Sequence, residues 1–258
     1  MAIMKMDLFS RSLWRSVTIE VVAPLESLSS GERMACLYLL HGVQGSYINW
    51  LASTNLYRYL SMYNQQHEKK LAVVMPSGAN SFYQQQDAPG RSERYEQYIA
   101  KELPQLLRAA LPISPLRGDT FVAGLSMGGY GALRLGLLYP QVFGFAGALS
   151  GAFITQDIAE HNRTQGQFFE NPAFLRATFG DLAGIESDAR DVRTLGLQAK
   201  ERPRLYMACG QQDRLLPLSR GLHEAWQAAG VAHEYEEHEG GHDWTFWDWG
   251  LRQILKRV

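Results

Sequence analysis

Phe121-Val122-Ala123-Gly124-Leu125-Ser126-Met127-Gly128-Gly129 is the stretch on which the reading of the fold turns. Thr120 to Ala123 is a short apolar run of the kind that forms a buried strand. A helix follows from Met127 to about Leu138, with Leu133, Leu135, Leu137 and Leu138 as its apolar residues and Pro140 as a stop. Ser126 sits at the turn between them, with a glycine two residues away on either side. That G-x-S-x-G spacing is the steric requirement of a nucleophile elbow. The serine takes a strained conformation so that its hydroxyl projects clear of the sheet. Strand and helix backbones then pass so closely that positions 124 and 128 have no room for a side chain. The same turn aims backbone N–H groups of the helix start at one spot, where they can bind an oxyanion.

Outward from the elbow, strands and helices alternate. Residues 6–11 and 14–23 read as an antiparallel hairpin, because Val17, Ile19 and Val21 alternate with Thr18 and Glu20. Leu25 to Glu32 reads as a polar loop. Met34 to Leu40 and Leu71 to Met75 are continuous apolar runs, the mark of strands buried on both faces. Asn49 to Leu60 reads as a helix, 77–92 as a polar loop, and Tyr95 to Leu111 as a helix kinked at Pro104. After the elbow come strands at Phe143 to Leu149, Arg204 to Cys209 and Ala232 to Glu237, and helices at Leu215 to Ala229 and Trp244 to Val258. The pattern predicts an α/β fold with a mostly parallel, doubly wound sheet and an antiparallel N-terminal hairpin. Residues 1–258 read as one domain, with a helical, lid-like excursion at about 152–200 that would serve as a cover or an interface.

Composition bounds the function classes. Hydrophobic residues make up 46% and charged residues 20%, as in ordinary globular chains. A net charge of −1 offers no electrostatic case for nucleic acid or for an anionic membrane surface. No segment approaches a membrane span. Met1 to Asp7 has no apolar run of signal-peptide length. Cys36 and Cys209 lie in apolar strand-like runs, so they read as reduced thiols and the chain as cytoplasmic. A homo-oligomer is left open as a partner class.

A serine nucleophile needs a base, and the base needs an acid to orient it. In the α/β-hydrolase arrangement the order along the chain is Ser, then Asp or Glu, then His. Functional groups gather at the carboxyl ends of the strands in open α/β sheets. After Ser126, two later strands end in suitable loops, one carrying Asp213 and the other His242. Glu239 is the rival acid, although it shares the histidine's loop. His238 and His242 have a helical metal-ligand spacing, but Gly240-Gly241 argues against a helix there, and no other metal or cofactor motif is present. For the oxyanion, Met127 N–H is one expected donor and Val43 N–H the other, with Gln44 as the neighbouring alternative. His41 reads as structural. Trp50, Trp244 and Trp247 are candidates for the pocket wall, weighed equally against ordinary core packing.

Taken together, Leu39 to Gly42, Ser46 to Trp50, Gly124 to Gly131, Cys209 to Asp213 and His242 to Trp244 resemble the esterase-D-like branch of the α/β hydrolases, and within it the bacterial tributyrin esterases. The resemblance covers nearly the whole chain. It implies a cofactor-free serine carboxylesterase acting on short acyl esters, acetyl to butyryl, of small molecules. Related branches imply two alternatives, a thioesterase of the S-formylglutathione hydrolase type and an acyltransferase. A catalytically silent binding protein on the same scaffold is the non-enzyme alternative. One departure stands out: Phe82-Tyr83-Gln84-Gln85-Gln86 occupies the place where tributyrin-type members tend to carry Tyr-Thr-Asp.

Overall fold

A computed structural model describes residues 1–88, 91–154, 171–181, 184–185 and 188–258. Its main sheet has eight strands: β1 (Ala2–Ser10), β2 (Arg15–Ala23), β3 (Ala35–Leu40), β4 (Leu71–Pro76), then β7 (Thr120–Leu125), β8 (Phe145–Leu149), β9 (Arg204–Gly210) and β10 (Glu234–His238). A separate hairpin pairs β5 (Gln85–Ala88) with β6 (Arg91–Arg94). The order across the main sheet is β1-β2-β4-β3-β7-β8-β9-β10. Strands β4 to β10 of this sheet run parallel, while β1 pairs antiparallel with β2, and β2 with β4. This is the expected mostly parallel sheet with its antiparallel N-terminal hairpin.

The continuous apolar runs became central strands for a simple reason. Every residue of β3, β4, β7 and β8 is buried, since helices cover both faces of the sheet. One core, containing Val122, Tyr130, Leu133 and Phe143, fills one face. A second, containing Leu37, Leu39, Phe121 and Leu251, fills the other. The chain passes from β3 outward to β4, then returns to lay β7 on the opposite side of β3. The crevice at the carboxyl ends of β3 and β7 is therefore a topological switch point, the usual place for a ligand in an open α/β sheet.

Several local expectations are corrected. Leu25–Ser30 is a short helix (α1), closed by Gly31 in the left-handed region at φ 76°. The helix expected at Asn49 to Leu60 is two helices, α2 (Asn49–Ser53) and α3 (Leu56–Gln66), broken by an extended Thr54. Tyr98–Glu102 forms a π-helical turn before α4 (Leu103–Ala110), which places Pro104 in the first turn of α4, where its missing N–H is tolerated. The polar loop expected at 77–92 gives way at Gln85 to the antiparallel β5–β6 pair, which runs on to Arg94. Of the 152–200 excursion, residues 155–170, 182–183 and 186–187 lie outside the described residues. Its described part includes α6 (Pro172–Phe179) and α7 (Val192–Gln198), which follow α5 (Met127–Leu138). The last helices are α8 (Leu216–Ala228) and α9 (Trp244–Leu255).

Candidate active site

Ser126 lies between β7 and α5 with φ 52° and ψ −119°, a region that side-chain-bearing residues rarely occupy. Neighbouring backbone locks it there. Its N–H donates to Leu149 O at 2.9 Å, and its carbonyl accepts from Tyr130 N–H and Ala152 N–H, each at 3.0 Å. The flanking glycines answer to sterics. A Cβ on Gly124 would stand 2.5 Å from the carbonyl group of Gly128, and one on Gly128 would stand 2.5 Å from Leu40 O. The elbow is thus pressed against the end of β3.

Asp213 and His242 leave the ends of adjacent strands, and backbone bonds tie their loops together. Gln211 N–H donates to His238 O at 2.8 Å, Gln212 N–H to Gly240 O at 2.9 Å, and Gly240 N–H to Gln212 Oε1 at 2.8 Å. Asp213 is held in turn by Leu215 N–H, which donates to Oδ1 at 2.8 Å. Across this frame His242 Nδ1 lies 2.9 Å from Asp213 Oδ2 and 3.1 Å from Oδ1, while Nε2 lies 3.1 Å from Ser126 Oγ. The Asp213 side chain is fully buried and that of His242 is 18% exposed, so the line runs from the interior to the crevice. Burial alone would raise the Asp213 pKa. The hydrogen bond and charge of His242, with further help from Ser150 and the Leu215 N–H, outweigh it and hold the carboxyl below its ordinary value. Trp247 packs edge-to-face on the imidazole at 5.0 Å and donates its indole N–H to Ser150 Oγ at 3.2 Å.

The structure separates the other candidates. Glu239 is exposed and is not a partner of His242 among the described residues. Asp243, the acidic neighbour of His242 in the chain, instead caps α9 by accepting from Thr245 N–H and Phe246 N–H. His238 stacks on Trp249 at 4.1 Å. Both ring nitrogens of His41 meet backbone: Nδ1 bonds its neighbour's carbonyl, Gly42 O, at 2.7 Å, and Nε2 accepts from Gly78 N–H at 2.8 Å. Burial lowers its pKa to about 4, which keeps the ring neutral.

The loop after β3 lies directly against the elbow. A Cβ on Gly42 would stand 3.3 Å from Ser126 Cβ. Gln44 N–H is engaged, donating to Asn80 Oδ1 at 2.7 Å. Among the described residues, neither Val43 N–H nor Met127 N–H has an acceptor.

Trp50 is a correction. It is fully buried, donates its indole N–H to Leu40 O at 3.0 Å, and belongs to the core under the loop. It therefore has no face to offer a substrate. Trp244 is half-buried, perpendicular to Trp50 and Trp247 at centroid distances of 5.6 and 5.0 Å. Ser150 and Asn80 support the site from loops and are not among the expected residues, while Tyr83 belongs to the departing stretch Phe82 to Gln86 but has no expected role. For Ser150 and Asn80 the sequence offers only the polar, glycine-punctuated character of their loops.

The family model described as "Putative esterase" matches residues 10–258. The acetyl esterase of Caldicellulosiruptor saccharolyticus is 36% identical over 96% of this chain and 94% of its own length. FphF, a fluorophosphonate-binding serine hydrolase of Staphylococcus aureus, superposes with a TM-score of 0.85 at 24% identity, covering 99% of this chain and 97% of its own. The S-formylglutathione hydrolase FrmB of the same organism gives 0.83 at 25% identity, covering 99% and 98%. Among the described residues, no helix is long and apolar enough to cross a membrane.

Proposed function

From the premise that this chain belongs to that esterase family and is a carboxylic ester hydrolase of the α/β-hydrolase fold, we propose that it cleaves short-chain acyl esters through a Ser126–His242–Asp213 triad. The observation that carries the reading is the unbroken hydrogen-bonded line from Asp213 through His242 to Ser126 Oγ. In the proposed mechanism, His242 Nε2 takes the Ser126 proton as Oγ attacks the ester carbonyl carbon. Asp213 fixes the tautomer by accepting from Nδ1–H and stabilises the imidazolium that forms. The carbonyl π electrons move onto oxygen, where Val43 and Met127 N–H groups receive the charge. His242 returns the proton to the departing alkoxide, the alcohol leaves, and water repeats the sequence on the acyl-enzyme.

The short-acyl, oxyester assignment draws support from the acetyl esterase relative, which matches along almost its whole length. The S-formylglutathione hydrolase neighbour supports a thioesterase as the second reading. A cytoplasmic site fits Cys36 and Cys209, which are free, buried thiols pushed up to about 12 chiefly by burial. The test is turnover of p-nitrophenyl acetate, butyrate and octanoate beside the acetyl thioester of N-acetylcysteamine. The proposal expects rates that fall with acyl length and a higher kcat/KM for the oxyester. A preference for octanoate or for the thioester would replace it.

A further inference from the structure

Tyr83 and Asn80 lie on a loop that approaches the segment carrying Val43. Residues Ser77 to Gln84 follow β4, and four contacts join this region to His41–Tyr47. Tyr83 Oη–H donates to His41 O at 3.0 Å, and Gly78 N–H donates to His41 Nε2 at 2.8 Å. Asn80 Oδ1 accepts from Gln44 N–H at 2.7 Å, and Ser77 Oγ accepts from Tyr47 N–H at 3.3 Å. The first three grip the residues on either side of Val43 and leave its own N–H without an acceptor among the described residues.

The loop is held in an unfavourable conformation to do this. Phe82 (φ 52°) and Tyr83 (φ 54°) are both in the left-handed region, and so is Gln44 (φ 61°) on the opposite side. Strained backbone of this sort persists only where its surroundings enforce it, and it concentrates at functional sites. The surroundings here are fitted to the Tyr83 ring. A Cβ on Gly78 would stand 2.3 Å from that ring, and one on Gly131 would stand 2.5 Å from it. Two chain segments have thus made room for one fully buried phenol. Burial also pushes the Tyr83 hydroxyl well above its ordinary pKa, so it remains a donor.

We propose that Tyr83 and Asn80 are positioning residues that hold the His41–Gln44 backbone so that Val43 N–H faces the oxyanion formed at Ser126. The inference rests on the proposed triad and oxyanion donors. An oxyanion donor works only when it is fixed before the charge develops. The ground-state carbonyl gains little from it, so a loosened brace acts on kcat and leaves KM alone.

The experiment uses the full chain, with Tyr83→Phe and Asn80→Ala as single and double variants and Ser126→Ala as control. Each is assayed for kcat and KM on p-nitrophenyl acetate, for Ki of 1,1,1-trifluoro-2-butanone, and for Tm. That ketone adds Ser126 Oγ to its carbonyl carbon, the π pair passes to oxygen, and the serine proton passes to His242, so its adduct presents the oxyanion. Deleting a whole oxyanion donor costs about 10²–10³-fold in kcat, so a displaced one is expected to cost roughly tenfold. The expected result is that kcat falls by that factor in each single variant, Ki rises in parallel, and KM stays within about twofold. Asn80→Ala, at a half-buried loop position, keeps the test readable if Tyr83→Phe folds poorly. If Ser126→Ala is inactive while both variants keep wild-type kcat and Ki, the brace is refuted and the triad stands. The brace is equally refuted if Tm falls and Ki does not move. If Ser126→Ala stays active, the triad reading fails and takes the inference with it.

Discussion

The elbow predicts that a glycine at position 126 is more stable than an alanine, the reverse of their usual order. Ser126 is held at φ 52° and ψ −119°, where any Cβ meets backbone. Such conformations cost of order 1–3 kcal/mol for a residue with a side chain. Glycine is free of that strain but loses roughly 0.5–1 kcal/mol through the greater freedom of its unfolded chain. Ser126→Ala and Ser126→Gly both lack the hydroxyl and its bond to His242, so their difference reports the strain less glycine's entropic cost. The net expectation is about 0–2.5 kcal/mol in favour of glycine, or up to roughly 5–10 °C in Tm for a chain of this length. Urea unfolding followed by tryptophan fluorescence measures it, with equal m values as the check that the denatured states match. If Ser126→Gly is less stable than Ser126→Ala by roughly the full 0.5–1 kcal/mol expected of glycine, the turn is unstrained and the steric reading of the glycine pattern is wrong.

Other consequences can be tested in the same preparations. Gly128→Ala brings a Cβ to 2.5 Å from Leu40 O and 2.7 Å from His41 O, both backbone atoms. A loss of about 2–3 kcal/mol in urea unfolding is expected, with at least about a tenfold fall in kcat as the oxyanion loop is displaced. His41 has a folded pKa of about 4 against an ordinary value of 6.5, so the unfolded chain binds the extra proton first. Its contribution is complete above pH 6.5 and is lost as pH falls towards 4; it amounts to about 3 kcal/mol. Unfolding free energies should therefore show the gap between wild type and His41→Gln narrowing across that window. Asp213→Asn is expected to lower kcat by about 10³–10⁴-fold on p-nitrophenyl acetate with little change in KM, because the imidazole loses both its tautomer control and its counter-charge.

The parts of the fold that could be read from the chain are those where one physical rule dominates. Continuous apolar runs such as Leu71 to Met75 have no other place than a sheet covered on both faces. Gly124 and Gly128 flank a serine because two backbones meet there. Asp213 and His242 were found by chain order and strand ends, and the structure brings them within hydrogen-bond reach of each other and of Ser126. Legibility failed where competing rules apply or long-range contacts decide. Leu25–Ser30 is polar enough to read as a loop, yet it closes as a helix on a left-handed Gly31. The β5–β6 pair is built from Gln, Asp, Ala, Arg, Ser and Glu, and its sequence carries no alternating apolar face. Tryptophan at position 50 has the same composition cue whether it lines a pocket or fills a core, and only its bond to Leu40 O decides the matter. The positive φ values of Phe82 and Tyr83 are imposed by neighbours far along the chain and leave no local mark.

The most direct test of the central claim is peptide mapping by mass spectrometry after reaction with an alkyl fluorophosphonate. The hydroxyl of an activated serine displaces fluoride from phosphorus and keeps the phosphonyl group. Stoichiometric labelling of Ser126, lost in His242→Ala and matched by loss of p-nitrophenyl acetate hydrolysis, is the predicted result. Full inactivation with the label on another residue, or hydrolysis that continues with Ser126 fully labelled, would contradict it.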